Sequence, residues 1–135
     1  MKQEVLDTWV VLQDILEREG VARQHLNSYN EFIEKQLQSI VDEVGAIDVE
    51  TPTVAYKVKL GRVRLGQPRV VERDGSISNI QPLEARLRNL TYASPIYLEM
   101  MIEENGIIKD SQFHHIGDLP VMVKSNLCVL SRISE

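Results

Sequence analysis

Val54-Ala55-Tyr56-Lys57-Val58-Lys59-Leu60-Gly61-Arg62-Val63-Arg64-Leu65 is the stretch whose reading decides the fold. Its first half alternates with a period of two. Val54, Tyr56, Val58 and Leu60 share one face of a strand, and Lys57 and Lys59 share the other. After Gly61 the phase slips: Val63 and Leu65 are the apolar positions, Arg62 and Arg64 the charged ones. An unbroken strand would send both arginines to the buried face. A one-residue bulge near Gly61 restores the register and puts Lys57, Lys59, Arg62 and Arg64 on one solvent-facing side. Val58, Leu60, Val63 and Leu65 then share the buried side. The four bases span roughly 20 Å at ~3.3 Å per residue, which suits successive phosphates along a backbone. They are the candidate nucleic-acid-binding residues, and a plainly solvated face is the competing reading.

Toward the N-terminus the period is helical. Val5, Leu6, Trp9, Leu12, Ile15 and Leu16 recur at helical intervals up to Glu19, and Gly20 stands where a C-terminal cap belongs. A second helix carries Tyr29, Phe32, Ile33, Leu37, Ile40, Val41 and Val44 on one stripe and ends at Gly45. Ser28 and Glu31 have capping-box spacing at its start, with Asn27 as a competing cap. The two helices are expected to pack on each other or on the sheet through Trp9, Leu16, Phe32, Leu37 and Ile40. Ile47 and Val49 then alternate with Asp48 and Glu50 as a first strand, broken by Thr51-Pro52-Thr53.

Toward the C-terminus, Gln67-Pro68 closes the strand and Arg73-Asp74-Gly75-Ser76 reads as a tight turn. Pro82 suits the first position of a short helix carrying Leu83, Leu87 and Leu90. Ile96 to Ile102 and Ile107 to Ile116 read as a hairpin about Asn105-Gly106. Gly117 and Pro120 point to loop and edge strand after it. The fold class is α+β: two N-terminal helices, then a mostly antiparallel sheet with one short inserted helix, in a single domain or partial domain over 1–135.

The charge is unevenly spread. Residues 1–50 carry four bases against eleven acids, residues 51–95 eight against three, and residues 96–135 three against six. A basic island thus sits in an acidic chain, fit for an anionic partner or for acidic parts of its own protein. No apolar run nears the ~20 residues that span a bilayer. Met1-Lys2-Gln3-Glu4 lacks the features of a secretion signal. Cys128 is the one cysteine, which excludes an internal disulfide and points to a reducing, intracellular home.

No catalytic constellation emerges. Two-metal chemistry needs metal ions held by clustered carboxylates, and Asp42-Glu43 and Glu103-Glu104 are adjacent pairs that read as solvated surface. His114 and His115 are neighbours on a strand, so they point to opposite faces and do not chelate one ion; one is expected inward, the other outward. His25 reads as a cap or packing residue ahead of the second helix, Ser28 as a cap, and Cys128 has no base partner. Gly61 and Gly66 lie in a strand and open no helix, so they are not a dinucleotide fingerprint. Arg86 and Arg88 diverge by about 200° on a short helix, and a structural ion pair suits at least one of them. No metal or cofactor is expected.

Four segments resemble one family in the right order. They are Arg23-Gln24-His25-Leu26-Asn27-Ser28-Tyr29-Asn30-Glu31-Phe32, Leu60-Gly61-Arg62-Val63-Arg64-Leu65-Gly66-Gln67-Pro68, Pro82-Leu83-Glu84-Ala85-Arg86-Leu87-Arg88-Asn89-Leu90-Thr91-Tyr92 with Ser94-Pro95, and Ile116-Gly117-Asp118-Leu119-Pro120-Val121-Met122-Val123-Lys124-Ser125. Together they resemble the N-terminal protrusion region of the second-largest subunit of archaeal- and eukaryotic-type DNA-directed RNA polymerase. The fifth position of the first segment is more often aspartate in that family. The resemblance implies a non-catalytic lobe beside the DNA cleft, with the catalytic aspartates mostly in another subunit. It implies weak, sequence-independent contact with DNA or an RNA–DNA hybrid, other polymerase subunits and transcription factors as partners, and no membrane. The implied location is cytoplasmic and nucleoid-associated, or nuclear in a eukaryote. The alternative is a protein-docking module that never touches nucleic acid. Family members continue past Glu135 toward a Gly-Gly-Tyr-Phe-Ile-like segment, so a piece of a subunit, a split subunit and a stand-alone relative all stay open. An uncovered strand edge or apolar patch, with weak self-association, is expected of a piece.

Overall fold

The computed structural model describes residues 2–20 and 22–128. Helix α1 runs over Lys2–Glu19 and stops at Gly20, whose φ of +71° is open to glycine without strain and whose N–H donates to the Leu16 carbonyl at 3.1 Å. A second helical rod follows as α2 (Arg23–Glu31), a single π turn (Phe32–Gln36) and α3 (Leu37–Val44), closed by Gly45 at φ +63°. The rod starts at Arg23, four residues before Asn27 and five before Ser28, the two expected caps. Its N-cap is Ala22, with no side-chain bond, and Ser28 and His25 lie inside the helix. Arg23, Gln24 and Leu26 are good helix formers, so the helix resumes soon after Gly20 and the capping-box spacing is incidental.

The π turn corrects the expected stripe. One extra residue in a turn rotates everything after it by about 100°. Tyr29, Phe32, Ile33, Leu37 and Val41 are half-buried, but Ile40 is 51% exposed and Val44 is also turned outward, while the polar Gln38 turns toward the sheet. The expected seat for α1 is also absent. Trp9 is 64% exposed, Leu16 is exposed too, and no extensive contact joins α1 to another element among the described residues. No helix there is long and apolar enough to cross a membrane.

The sheet is four-stranded and antiparallel in the order β1-β2-β5-β6: β1 Ala46–Glu50, β2 Ala55–Leu65, β5 Ala93–Glu104, β6 Ile107–Pro120. A separate hairpin pairs β3 (Arg69–Val71) with β4 (Ile77–Asn79) about Gly75, and α4 (Pro82–Leu87) connects it back to β5. The α+β reading stands in outline, and the second hairpin is an addition to it. Pro82 opens α4 as expected. Its leucines do not reach the core, however: Leu83 and Leu87 are exposed, and Ala85 is the buried anchor. Strand β6 runs on through Gly117, accommodating it with a register shift against Ile96 and Tyr97 of β5.

The register of β2 on β5 contains the bulge. Leu60 pairs with Met100 and Val63 with Leu98, so three steps on β2 match two on β5. On one face Val58, Leu60, Val63 and Leu65 lie with Ile102, Met100, Leu98 and Ile96. The core on that side is small: Val121, Leu127 and Cys128, against which Ile33, Leu65 and Tyr92 pack. The whole 135-residue chain exposes 10498 Å², against about 7,200 Å² for a compact monomer of its mass. The other face of the sheet is open.

Candidate nucleic-acid interface

The stripe of four bases is divided in two. Lys57 lies directly across from Asp48 on β1, with Nζ 3.6 Å from its carboxylate. Lys59 reaches diagonally to Glu103 at 2.6 Å, off hydrogen-bond alignment, and the Glu103 side chain is only 17% exposed. Both lysine side chains are partly buried beside these carboxylates, although Asp48 itself is exposed. Glu103 is therefore not the solvated residue its sequence neighbours suggested, and Glu104 pairs loosely with Lys109 at 3.8 Å. Arg62 and Arg64 are exposed and, among the described residues, neither forms an ion pair.

The bulge that presents them is built from three side chains. Gly61 leaves room for Glu99, since a Cβ there would lie 2.6 Å from Glu99 Oε2 and 3.2 Å from its Cβ and would displace the carboxylate. That carboxylate accepts from the Arg62 amide at 3.3 Å and, through Oε1, from the Ser111 hydroxyl at 3.3 Å. From the helix side, Gln38 donates Nε2–H to the Gly61 carbonyl at 3.0 Å and accepts from the Val63 amide at 2.9 Å. Backbone groups of β2 beyond the end of β1, which have no strand beside them, are thus satisfied by side chains, as part-buried polar groups must be.

Beyond the bulge the open face carries aromatic rings. Arg64 pairs across with Tyr97, and Tyr97 with His115, so the three form a row over β2, β5 and β6. The Arg64 guanidinium lies 5.1 Å from the Phe113 centroid, and that of Arg69 lies 5.7 Å from the Tyr97 centroid. Such stacking fixes a guanidinium while leaving its N–H edge available. Arg62, Arg64, Gln38, Val63, Glu99 and Phe113 surround a hollow of about 760 Å³. Arg64, Leu65, Gly66, Tyr97 and Phe113 line an adjoining one of about 400 Å³.

Other groups hold the scaffold. Arg88 grips Glu72 in a fork, at 3.0 and 2.8 Å, and also reaches Glu84 at 3.2 Å, tying the β3–β4 hairpin to α4. This is the structural pair expected of Arg86 or Arg88; Arg86 is exposed. The Arg88 guanidinium, aided by the Ser78 hydroxyl, holds the Glu72 carboxyl below its ordinary value. The Ser76 hydroxyl and amide do the same for Asp74 in the hairpin turn. Burial raises the Tyr29 hydroxyl, which donates to the Pro120 carbonyl at 2.6 Å. His114 and His115 point to opposite faces, yet both are exposed, because β6 is an edge strand and little covers its core side; His115 lies 2.9 Å from Asp118. Among the described residues no group of three His, Cys, Asp or Glu side chains is placed to hold a metal ion.

Sequence reasoning had the bulge and its arginines but missed Gln38, Glu99, Arg69, Tyr97 and Phe113. Nothing in the sequence marked Gln38, because the π turn that brings it to the sheet leaves no periodic signature. Nothing in the spacing of Tyr97 and Phe113 marked them out from packing residues.

A family model described as RNA polymerase beta subunit matches residues 20–135. DNA-directed RNA polymerase subunit Rpo2 of Saccharolobus shibatae is 46% identical over 126 residues, covering 93% of this chain and 11% of that protein. Subunit Rpo2N of Methanocaldococcus jannaschii is 47% identical over 115 residues, covering 82% of this chain and 23% of its own length. DNA-directed RNA polymerase II subunit RPB2 of Schizosaccharomyces pombe is 31% identical over 156 residues, covering 96% and 13%. The chain spans between a tenth and a quarter of the length of these relatives. With the helical rod, the bulged β2 and the sheet after it all inside the matched span, the chain belongs to the RNA polymerase beta subunit family, of which it is the N-terminal region.

Proposed function

We propose that the chain is a non-catalytic module of a DNA-directed RNA polymerase, working in transcription, that contacts nucleic acid without reading its sequence. The observation that carries the reading is the two exposed arginines, Arg62 and Arg64, which have no ion-pair partner among the described residues and are raised by the bulge on an open sheet face. Lys57 and Lys59 lie on the same strand but are already neutralised by Asp48 and Glu103. Arginine contacts to phosphate fix position and carry no sequence information. Its partners on this reading are the other polymerase subunits and DNA or an RNA–DNA hybrid, and its place is the cytoplasm, or the nucleus in a eukaryote.

The test is binding of a duplex to the chain as a function of salt. Arg62→Glu with Arg64→Glu should lower the salt slope by about one unit per lost phosphate contact, alike for every sequence. An unchanged slope would remove the reading.

A protein-docking role has its own support in the surplus of exposed area. Val5, Trp9 and Leu12 line an apolar hollow on α1, and Ile47, Val49, Tyr56 and Ile102 remain exposed on the sheet. Such surface suits other parts of a polymerase or its transcription factors. The two roles occupy different faces, so both fit one molecule.

A further inference from the structure

The smaller hollow has a chemistry that phosphate contact alone leaves unused. A duplex offers a protein its charged backbone and keeps the faces of its bases stacked on one another. Aromatic rings within a basic surface are of use chiefly where bases are unstacked and free. Here two rings lie on the open sheet face beside three arginines, and the guanidinium carbons of two of them lie over the rings, 5.1 and 5.7 Å from the centroids. Gly66 lets the Tyr97 ring lie close to the main chain, since a Cβ there would be 3.2 Å from Tyr97 Cε2 and 2.7 Å from Pro95 Cγ. The one carboxylate lining the adjoining hollow, Glu99, already accepts from Arg62 N–H and Ser111. The hollow of about 400 Å³ has room for a planar base.

We infer that this hollow takes a base of a single-stranded polynucleotide, stacked against the Arg64–Phe113 and Arg69–Tyr97 pairs while Arg62 meets the adjoining phosphate. The inference rests on the nucleic-acid reading above and adds strandedness to it. Guanidinium planes and rings accept any base face, so the contact is indifferent to sequence.

The experiment measures binding of the chain at low salt to three probes of equal length: oligothymidine, the same backbone without bases, and a duplex. Oligothymidine should bind about tenfold more tightly than the abasic strand. Tyr97→Leu with Phe113→Leu should abolish that preference and leave the salt slope as it was. Arg62→Gln should lower the slope for all three probes. Phe113→Leu alone, on an exposed edge strand, keeps the test available if the double variant does not fold. Equal binding of oligothymidine and abasic strand, or a preference that survives loss of the rings, overturns the inference while leaving phosphate contact in place. Binding to none of the three probes overturns both.

Discussion

The side-chain amide of Gln38 sits across the bulge of β2 as an absent strand residue would, donating to Gly61 O at 3.0 Å and accepting from Val63 N at 2.9 Å. One side chain on a helix therefore holds two backbone groups of a strand.

Gln38→Leu should leave both groups without partners in a half-buried place. A loss of about 1–3 kcal/mol is expected for stranding such groups, read as a lower urea midpoint at unchanged m. Gln38→Glu should cost a similar amount, because a carboxylate has no N–H for the Gly61 carbonyl. Variants as stable as the parent would show that the bulge supports itself.

Lys57→Gln and Lys59→Gln should leave the salt dependence of nucleic-acid binding as it is in the parent. Their charges already face Asp48 and Glu103, so they displace few counterions from a bound nucleic acid and their loss changes the slope little. A slope that falls as far as in the Arg62 and Arg64 variants would return the lysines to the interface.

The Glu72–Arg88 pair sets a pH dependence of known sign. The Glu72 carboxyl is held below its ordinary value in the folded chain. Its contribution to stability is therefore present above the carboxyl's unfolded value and is lost as pH falls through the lower folded value. In a carboxyl-carbon NMR titration, Arg88→Gln should move the Glu72 midpoint upward. The stability difference between parent and variant should shrink on acidification. A midpoint that Arg88→Gln leaves in place would show that the fork is not what lowers it.

Cys128 is fully buried, with the Tyr92 hydroxyl 3.8 Å from its sulfur, beside Val121 and Leu127. The sequence marked it only as the one cysteine, without a base partner and so without an expected role. Burial changes that expectation, since a free cysteine packs as a small hydrophobe. Cys128→Ser should lower stability by about 1 kcal/mol. The native thiol should react with an aromatic disulfide reagent only as fast as the chain opens.

What could be read from the sequence divides along physical lines. Period-two alternation and its slip at Gly61 report side-chain faces directly, so β2, its bulge and the outward arginines were legible. The helical stripe was legible at Tyr29, Phe32, Ile33, Leu37 and Val41 but not at Ile40 and Val44, because a π turn leaves no periodic signature of its own and moves Ile40 and Gln38 to each other's expected sides. Ion pairing was harder still. Lys57 and Lys59 differ from Arg62 and Arg64 only through what stands opposite on β1 and β5, which is a matter of register between strands. Trp9 and Leu16 misled for another reason: an amphipathic pattern states that a face is apolar, not which partner covers it.

The π turn and the bulge are each one residue too many, one in a helix and one in a strand, and the two surpluses meet at Gln38. Changes of chain length are therefore coupled there across more than twenty positions of sequence. Removing Gly61 alone would leave β2 regular and Gln38 with an amide and no main chain to serve. Removing one residue from Phe32–Gln36 would return the helix to its ordinary pitch and take the amide away from a bulge that still needs it. Deletion tolerance at either position is then a property of the pair, and a chain shortened at one should be rescued by shortening at the other.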